Sequence, residues 1–196
     1  MNKQTANFYN RFSFFYPLID VFLNPQKEKL VREINSCTQG NLLEVGVGNG
    51  RHLSLYEPHN ITGIDTSSRM LEMAGKRHDG TVLLLQMDGQ DLSFPDNYFD
   101  YIVLSHVIAV VDDPEKLLEE TYRVLKPNGK IFILNHFTPT NWLYYADKAF
   151  NRISGIFHFK SLFYIDKFAA INKFKLVKEI RLDRFSYFKL LIFCKA

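Results

Sequence analysis

The chain has 196 residues, 46% of them hydrophobic and 23% charged, which gives length for one ordinary domain and the balance of a globular rather than a disordered protein. The net charge of +3 hides an asymmetry: residues 1–140 carry 13 Lys/Arg against 17 Asp/Glu, and residues 141–196 carry 11 against 4. Two cysteines, Cys37 and Cys194, with no Cys/His cluster of zinc spacing argue against a disulfide scaffold and a metal site and for a reduced cytoplasm. The longest apolar stretch, Tyr101 to Val111, is broken by Ser105 and His106 and is too short to span a bilayer. We therefore expect a cytoplasmic protein, at most peripheral at a membrane surface.

In chain order, Phe8–Leu23 and Gln26–Ile34 read as helical, divided at Pro25. A strand–helix alternation follows. Strands are expected at Asn41–Gly46, Ile61–Asp65, Thr81–Met87, Phe99–Ser105 and Lys130–Asn135. Short helices are expected at Arg51–Tyr56, after Thr66-Ser67-Ser68, and from Pro114 to Leu125 behind Asp112-Asp113; serine and aspartate are good caps. Apolar strands separated by helices imply a parallel sheet covered on both faces. Lys175–Leu182 and Tyr187–Lys195 are strand-like and only a few residues apart, so they must pair antiparallel, because a parallel crossover needs about a dozen residues.

Chemistry concentrates at Leu43-Glu44-Val45-Gly46-Val47-Gly48-Asn49-Gly50. Glycines after a buried strand allow a sharp turn and close backbone approach to a ligand, at the crevice bordering the carboxyl ends of the strands. Asp65, ending the second strand, is placed to accept hydrogen bonds from ribose hydroxyls. A nicotinamide enzyme would share that acid, but its G-x-G-x-x-G fingerprint needs a small residue at Arg51, whereas the third glycine here is Gly50. Glu44, two residues before Gly46, suits a ligand with a cationic amino group. Asp88 can accept from an adenine amino group, with Gly89 and Gln90 offering backbone amides. Met70 reads equally as a core methionine or as a cover for the adenine face.

These motifs resemble the class I S-adenosylmethionine-dependent methyltransferases of the UbiE and type-11 kind. The likeness is carried by E-V-G-x-G-x-G, the I-D strand end, D-G-Q-D-L-S-F-P-D-N-Y-F-D and R-V-L-K-P-N-G-K, over about Asn41 to His136. It implies an α/β, Rossmann-like three-layer sandwich. Its sheet would have seven mostly parallel strands in the order 3-2-1-4-5-7-6, the last antiparallel, behind an N-terminal helical lid. The chain then divides into a lid (1–40), a donor-binding core (41–136), a substrate or cap segment (137–172) and a terminal hairpin (173–196). With S-adenosylmethionine as cofactor, Glu44, Gly46, Gly48 and Gly50 would hold the methionine part and Asp65 the ribose. Met70, Asp88, Gly89 and Gln90 would hold the adenine, with Ser105 beside the sulfonium pocket.

The acceptor is less constrained. Tyr9-Asn10-Arg11-Phe12-Ser13-Phe14-Phe15-Tyr16 resembles the aromatic segment that covers the donor in the UbiE group, with Tyr9 and Tyr16 as lid or substrate contacts; plain helix packing is the other reading. Leu134-Asn135-His136-Phe137 and the basic aromatic segment from Trp142 to Phe168 look similar to soluble bacterial phosphatidylethanolamine N-methyltransferases. That segment reads either as a core helix with a solvated basic face or as a surface for something anionic. His106 and His136 are the catalytic candidates, since an amine must be neutral when it attacks, though each also reads as a structural histidine. The expected partner is a phospholipid or a soluble small molecule such as a quinone precursor or natural product, with no nucleic acid and no metal. The competing classes are an NAD-dependent oxidoreductase and a catalytically inactive donor-binding protein.

Overall fold

The computed structural model describes residues 16–78, 80–136, 165–182 and 188–195, with backbone alone for 16–25 and His136. The calls on Tyr9 and on the segment from Trp142 to Tyr164 lie outside the described residues, as do the side chains of Tyr16 and His136.

Helix α1 runs unbroken over Tyr16–Asn35. Pro25 does not end it, although a proline inside a helix removes one donor and crowds the carbonyl of the preceding turn. The described half of α1 is not peripheral to the core: Leu30 and Ile34 are fully buried on the sheet. Strand β1 (Asn41–Val45), a 3-10 turn at Leu53–Leu55, and β2 (Asn60–Asp65) follow. Helix α2 (Ser68–Gly75) is capped by Ser67, whose hydroxyl accepts from the Met70 amide. Next come β3 (Leu83–Gln86), β4 (Phe99–Ser105) and α3 (Pro114–Val124). Asp113 caps α3 by accepting from the Lys116 amide, and Pro114 occupies the first turn, where no donor is missed.

Strand β5 is longer than expected, Leu125–His136, because the turn Lys126-Pro127-Asn128-Gly129 is looped out inside it. Leu125 pairs with Phe99 and Lys130 with Tyr101, so the turn bulges between two paired positions. Two 3-10 turns, Ile165–Lys167 and Ala169–Lys173, lead to β6 (Phe174–Arg181) and β7 (Phe188–Lys195).

The seven strands form one sheet in the order β3-β2-β1-β4-β5-β7-β6. The first five are parallel, and β7 runs antiparallel to both β5 and β6. Alternation along the strands makes two apolar layers. Leu43, Ile102, Leu104, Ile131, Ile133 and Leu191 face α3 and the 3-10 turns; Leu42, Val103, Phe132, Leu134, Leu190 and Ile192 face α1.

Polar clamps fix the connections. Arg123 of α3 donates to the Leu92 and Phe94 carbonyls and to Asp96 and Glu120, while Glu120 accepts the Leu92 amide. The segment joining β3 to β4 is thereby held onto α3. Lys195, near the end of β7, is buried, and its ammonium donates to the Tyr122 carbonyl (2.6 Å), the Leu125 carbonyl (2.7 Å) and Asn97 Oδ1 (2.8 Å). It also sits 4.4 Å from the centre of the Tyr122 ring. Burial pulls its pKa below the ordinary lysine value.

Candidate active site

The carboxyl ends of β1, β2 and β4 converge on one cleft, and the glycine turn forms its floor. Gly46, Gly48 and Gly50 all have positive φ (+75°, +56° and +67°), the left-handed region that costs an L side chain and not glycine. The Gly46 and Val47 amides donate to the Ile64 carbonyl, which bends the chain across the end of β2. A Cβ at Gly46 would stand 3.0 Å from Val107, so only glycine leaves the cleft open there.

Asp65 ties the turn to α2. Its Oδ2 accepts the Gly48 amide (2.8 Å) and its Oδ1 accepts the Ser67 amide (2.9 Å). Burial raises its pKa above the ordinary 3.8, against the backbone hydrogen bonds from Ser67, Gly48 and Thr66, which lower it. A carboxylate oxygen carries two lone pairs, so each can still accept from a ligand hydroxyl.

Of the residues singled out from sequence, Gly46, Gly48, Asp65, Met70, Asp88, Gly89, Ser105 and His106 line this cleft. The Ser105 hydroxyl is buried and makes no hydrogen bond among the described residues. His106 has φ +58°, its amide donates to the Leu134 carbonyl at 2.7 Å, and its ring meets Phe188 edge-on at 5.5 Å. A non-glycine residue held left-handed at a cleft is a functional pointer.

Three others are placed elsewhere. Gly50 packs beneath the turn, where a Cβ would meet Ala74 Cβ at 2.7 Å and where its carbonyl contacts His78 Nε2 at 2.6 Å. Gln90 is a strut: its amide and side-chain nitrogen donate to Asp88 Oδ1, and its Oε1 accepts the Asp113 amide. Glu44 is fully buried on the α1 face, with Oε1 2.6 Å from His52 Nε2. The β alternation explains this: Leu43 and Val45 face α3, so Glu44 between them must face α1. Sequence reasoning missed Val107, Val110 and Val111, which line the cleft beyond His106. No residue type or spacing marks them, since they are apolar residues beside an apolar core. No group of three His, Cys, Asp or Glu able to hold a metal occurs among the described residues.

The comparisons with known proteins bear on this arrangement. A family model described as a methyltransferase domain matches residues 43–133. A phosphatidylethanolamine N-methyltransferase from Cereibacter sphaeroides is 35% identical over 147 residues, covering 71% of this chain and 72% of that protein. The chain belongs to the class I S-adenosylmethionine-dependent methyltransferases. The methyl donor of this methyltransferase is therefore S-adenosylmethionine, and the nicotinamide reading is set aside. A ubiquinone/menaquinone biosynthesis C-methyltransferase UbiE from Desulfotalea psychrophila is 35% identical over 111 residues, 54% of this chain and 45% of that one. In fold, the methyltransferase matches an S-adenosylmethionine-dependent methyltransferase crystal structure from Thermotoga maritima with a TM-score of 0.74. That match covers 98% of this chain and all of the other at 22% identity.

The residues present fit such a donor. A positive-φ glycine cradle, a strand-end carboxylate and a buried serine hydroxyl line one cleft, as a nucleoside carrying an amino acid requires.

Proposed function

We propose that this methyltransferase N-methylates an amine of the phosphatidylethanolamine type, with the donor in the cleft between the glycine turn and Ser105. One observation carries the reading: Ser105 and His106, at the tip of β4, line the same cleft as the glycine turn and Asp65. In this reading the Gly46–Gly48 backbone meets the methionine part and Asp65 accepts from the ribose hydroxyls. Met70, Asp88 and Gly89 enclose the adenine. When bound, S-adenosylmethionine supplies a methyl carbon activated by its sulfonium.

The chain's own residues do the rest. Ser105 and Val107 exclude water, which sharpens alignment in the cleft. His106 takes the proton that the ammonium of the acceptor must lose, with Phe188 fixing the ring edge-on. His136, at the end of β5 beside β4, is the second proton-handling candidate. The 35% identity to a phosphatidylethanolamine N-methyltransferase and the basic excess of residues 141–196 support a lipid acceptor met from the cytoplasm at a membrane surface. No helix of the described residues is long and apolar enough to cross a membrane.

A second reading is a quinone-type small molecule, favoured by the UbiE relative and by the apolar wall of Val107, Val110 and Val111. The deciding assay offers labelled donor with phosphatidylethanolamine vesicles and, separately, with a demethylated quinone. Label in lipid supports the first reading. Label in quinone alone replaces it with the second.

A further inference from the structure

Gln90 stands just behind the cleft rather than in it. Its neighbours Asp88 and Gly89 line the cleft, while Gln90 is buried with its side chain against the start of α3. The partners of that side chain fix the direction of every bond it makes. The Asp113 amide only donates, so the atom 2.9 Å from it is the Gln90 oxygen, Oε1. Nε2 is thereby turned to Asp88 Oδ1 at 3.0 Å, and the Gln90 backbone amide donates to the same oxygen at 3.0 Å. The reverse orientation would set one N–H against another and a lone pair against a carboxylate.

A carboxylate oxygen has two lone pairs, so Gln90 takes both of those on Oδ1, and a ligand in the cleft is met through Oδ2. Donors of this kind also favour the ionised acid, which only accepts. Burial by itself would raise the Asp88 pKa; hydrogen bonding, that from Gln90 included, brings it below the ordinary 3.8. Asp113 is held in turn by α3, where its carboxylate accepts the Lys116 amide at 3.0 Å. The bonds running from α3 through Asp113 and Gln90 therefore fix both the orientation of Asp88 and the protonation state it presents. Purines differ at the position such an acid reads. The group on C6 is an amino donor in adenine and a carbonyl acceptor in hypoxanthine, so an acid held as an acceptor takes the first and repels the second.

We infer that Gln90 is a positioning residue that keeps Asp88 an oriented acceptor, and that it thereby sets the preference of the cleft for an adenine nucleoside over its 6-oxo counterpart. The inference rests on the adenine of the donor meeting Asp88 in this cleft.

The test is calorimetric titration of the whole chain with S-adenosylhomocysteine and S-inosylhomocysteine, reading the ratio of the two Kd values. Failure of the wild-type protein to bind S-adenosylhomocysteine removes the placement of the donor and with it this inference. A wild-type ratio retained in Asp88→Ala overturns the inference by moving the adenine away from Asp88, while donor binding itself stands. With Asp88 established as the reader, Gln90→Met, which keeps the volume and loses the bonds, should lower the adenine preference about three- to tenfold. Gln90→Glu should lower it further, roughly tenfold or more, because two facing carboxylates cannot both ionise and Asp88 ceases to be a pure acceptor. A merely structural role would weaken both compounds together and leave the ratio unchanged. An unchanged ratio in Gln90→Met overturns the inference, as does a wild-type ratio in Gln90→Glu. Gln90→Met combined with Asp88→Ala should lose no more preference than Asp88→Ala alone, and a further loss overturns the coupling of the two residues. Where one Gln90 variant does not fold, the other decides the matter.

Discussion

The cleft has two sides built on different principles. Along the glycine turn and Asp65, polar groups are tied to backbone: Gly46 and Val47 to Ile64, Gly48 and Ser67 to Asp65, Gln90 to Asp88 and Asp113. At the tip of β4, Ser105 carries a buried hydroxyl with no hydrogen-bond partner among the described residues, His106 stands in a left-handed conformation, and three valines form the wall. The first side is rigid because its geometry comes from main chain. The second also has a pinned backbone, with the His106 amide on the Leu134 carbonyl and the Val110 and Val111 amides on the Val107 carbonyl, but what it presents to the cleft is side chains, free to differ between enzymes that share a methyl donor and not an acceptor.

Substitutions can break this contrast. Gly50→Val should have the largest effect, since a branched side chain there would overlap Ala74 and adopt φ +67°. We expect a loss of about 2–5 kcal/mol in urea unfolding, together with loss of S-adenosylhomocysteine binding. An unchanged midpoint would show the rigid side to be slack. Asp65→Ala should weaken S-adenosylhomocysteine binding by roughly 1.5–3 kcal/mol, about ten- to hundredfold; wild-type affinity by calorimetry would place the ribose elsewhere.

On the other side, His106→Asn tests chemistry without backbone strain, because asparagine tolerates the left-handed region. It should lower kcat about tenfold or more while the donor Kd moves less than threefold. Parallel loss of both would make His106 structural. The smallest expected effect is in pH. Burial raises the Asp65 pKa, so its contribution to folding stability is present below the ordinary 3.8 and is lost as pH rises through the raised value. In the proposed reading the donor's ribose hydroxyls donate to the ionised form, so donor binding runs oppositely. The rise in Tm caused by S-adenosylhomocysteine should therefore shrink as pH falls, beginning above the ordinary aspartate range.

Much of the rigid side is legible in sequence because its parts are local. A glycine at each positive-φ position, an acid ending β2 and a serine capping α2 each announce themselves by residue type and place. Strand β4 is bounded correctly at Phe99 and Ser105 because an apolar run starts and stops there. What sequence could not supply is long-range pairing. Glu44 beside the glycines reads as a ligand contact, and its partnership with His52 and Lys27 exists only once α1 lies on the sheet. Pro25 looks like a boundary, yet α1 continues through it. The valines of the other wall carry no mark at all.

The strand order also bears on how the molecule is made. β7 is translated after every other strand of the sheet and yet lies inside it, between β5 and β6. A nascent chain that has released β6 still has an unpaired edge on β5 and nowhere to dock β6. Lys195, which closes the end of α3, arrives later still. Until β7 is available, any assembled part of the sheet carries an open edge on β5, and an unpaired apolar edge is a template for pairing with another chain.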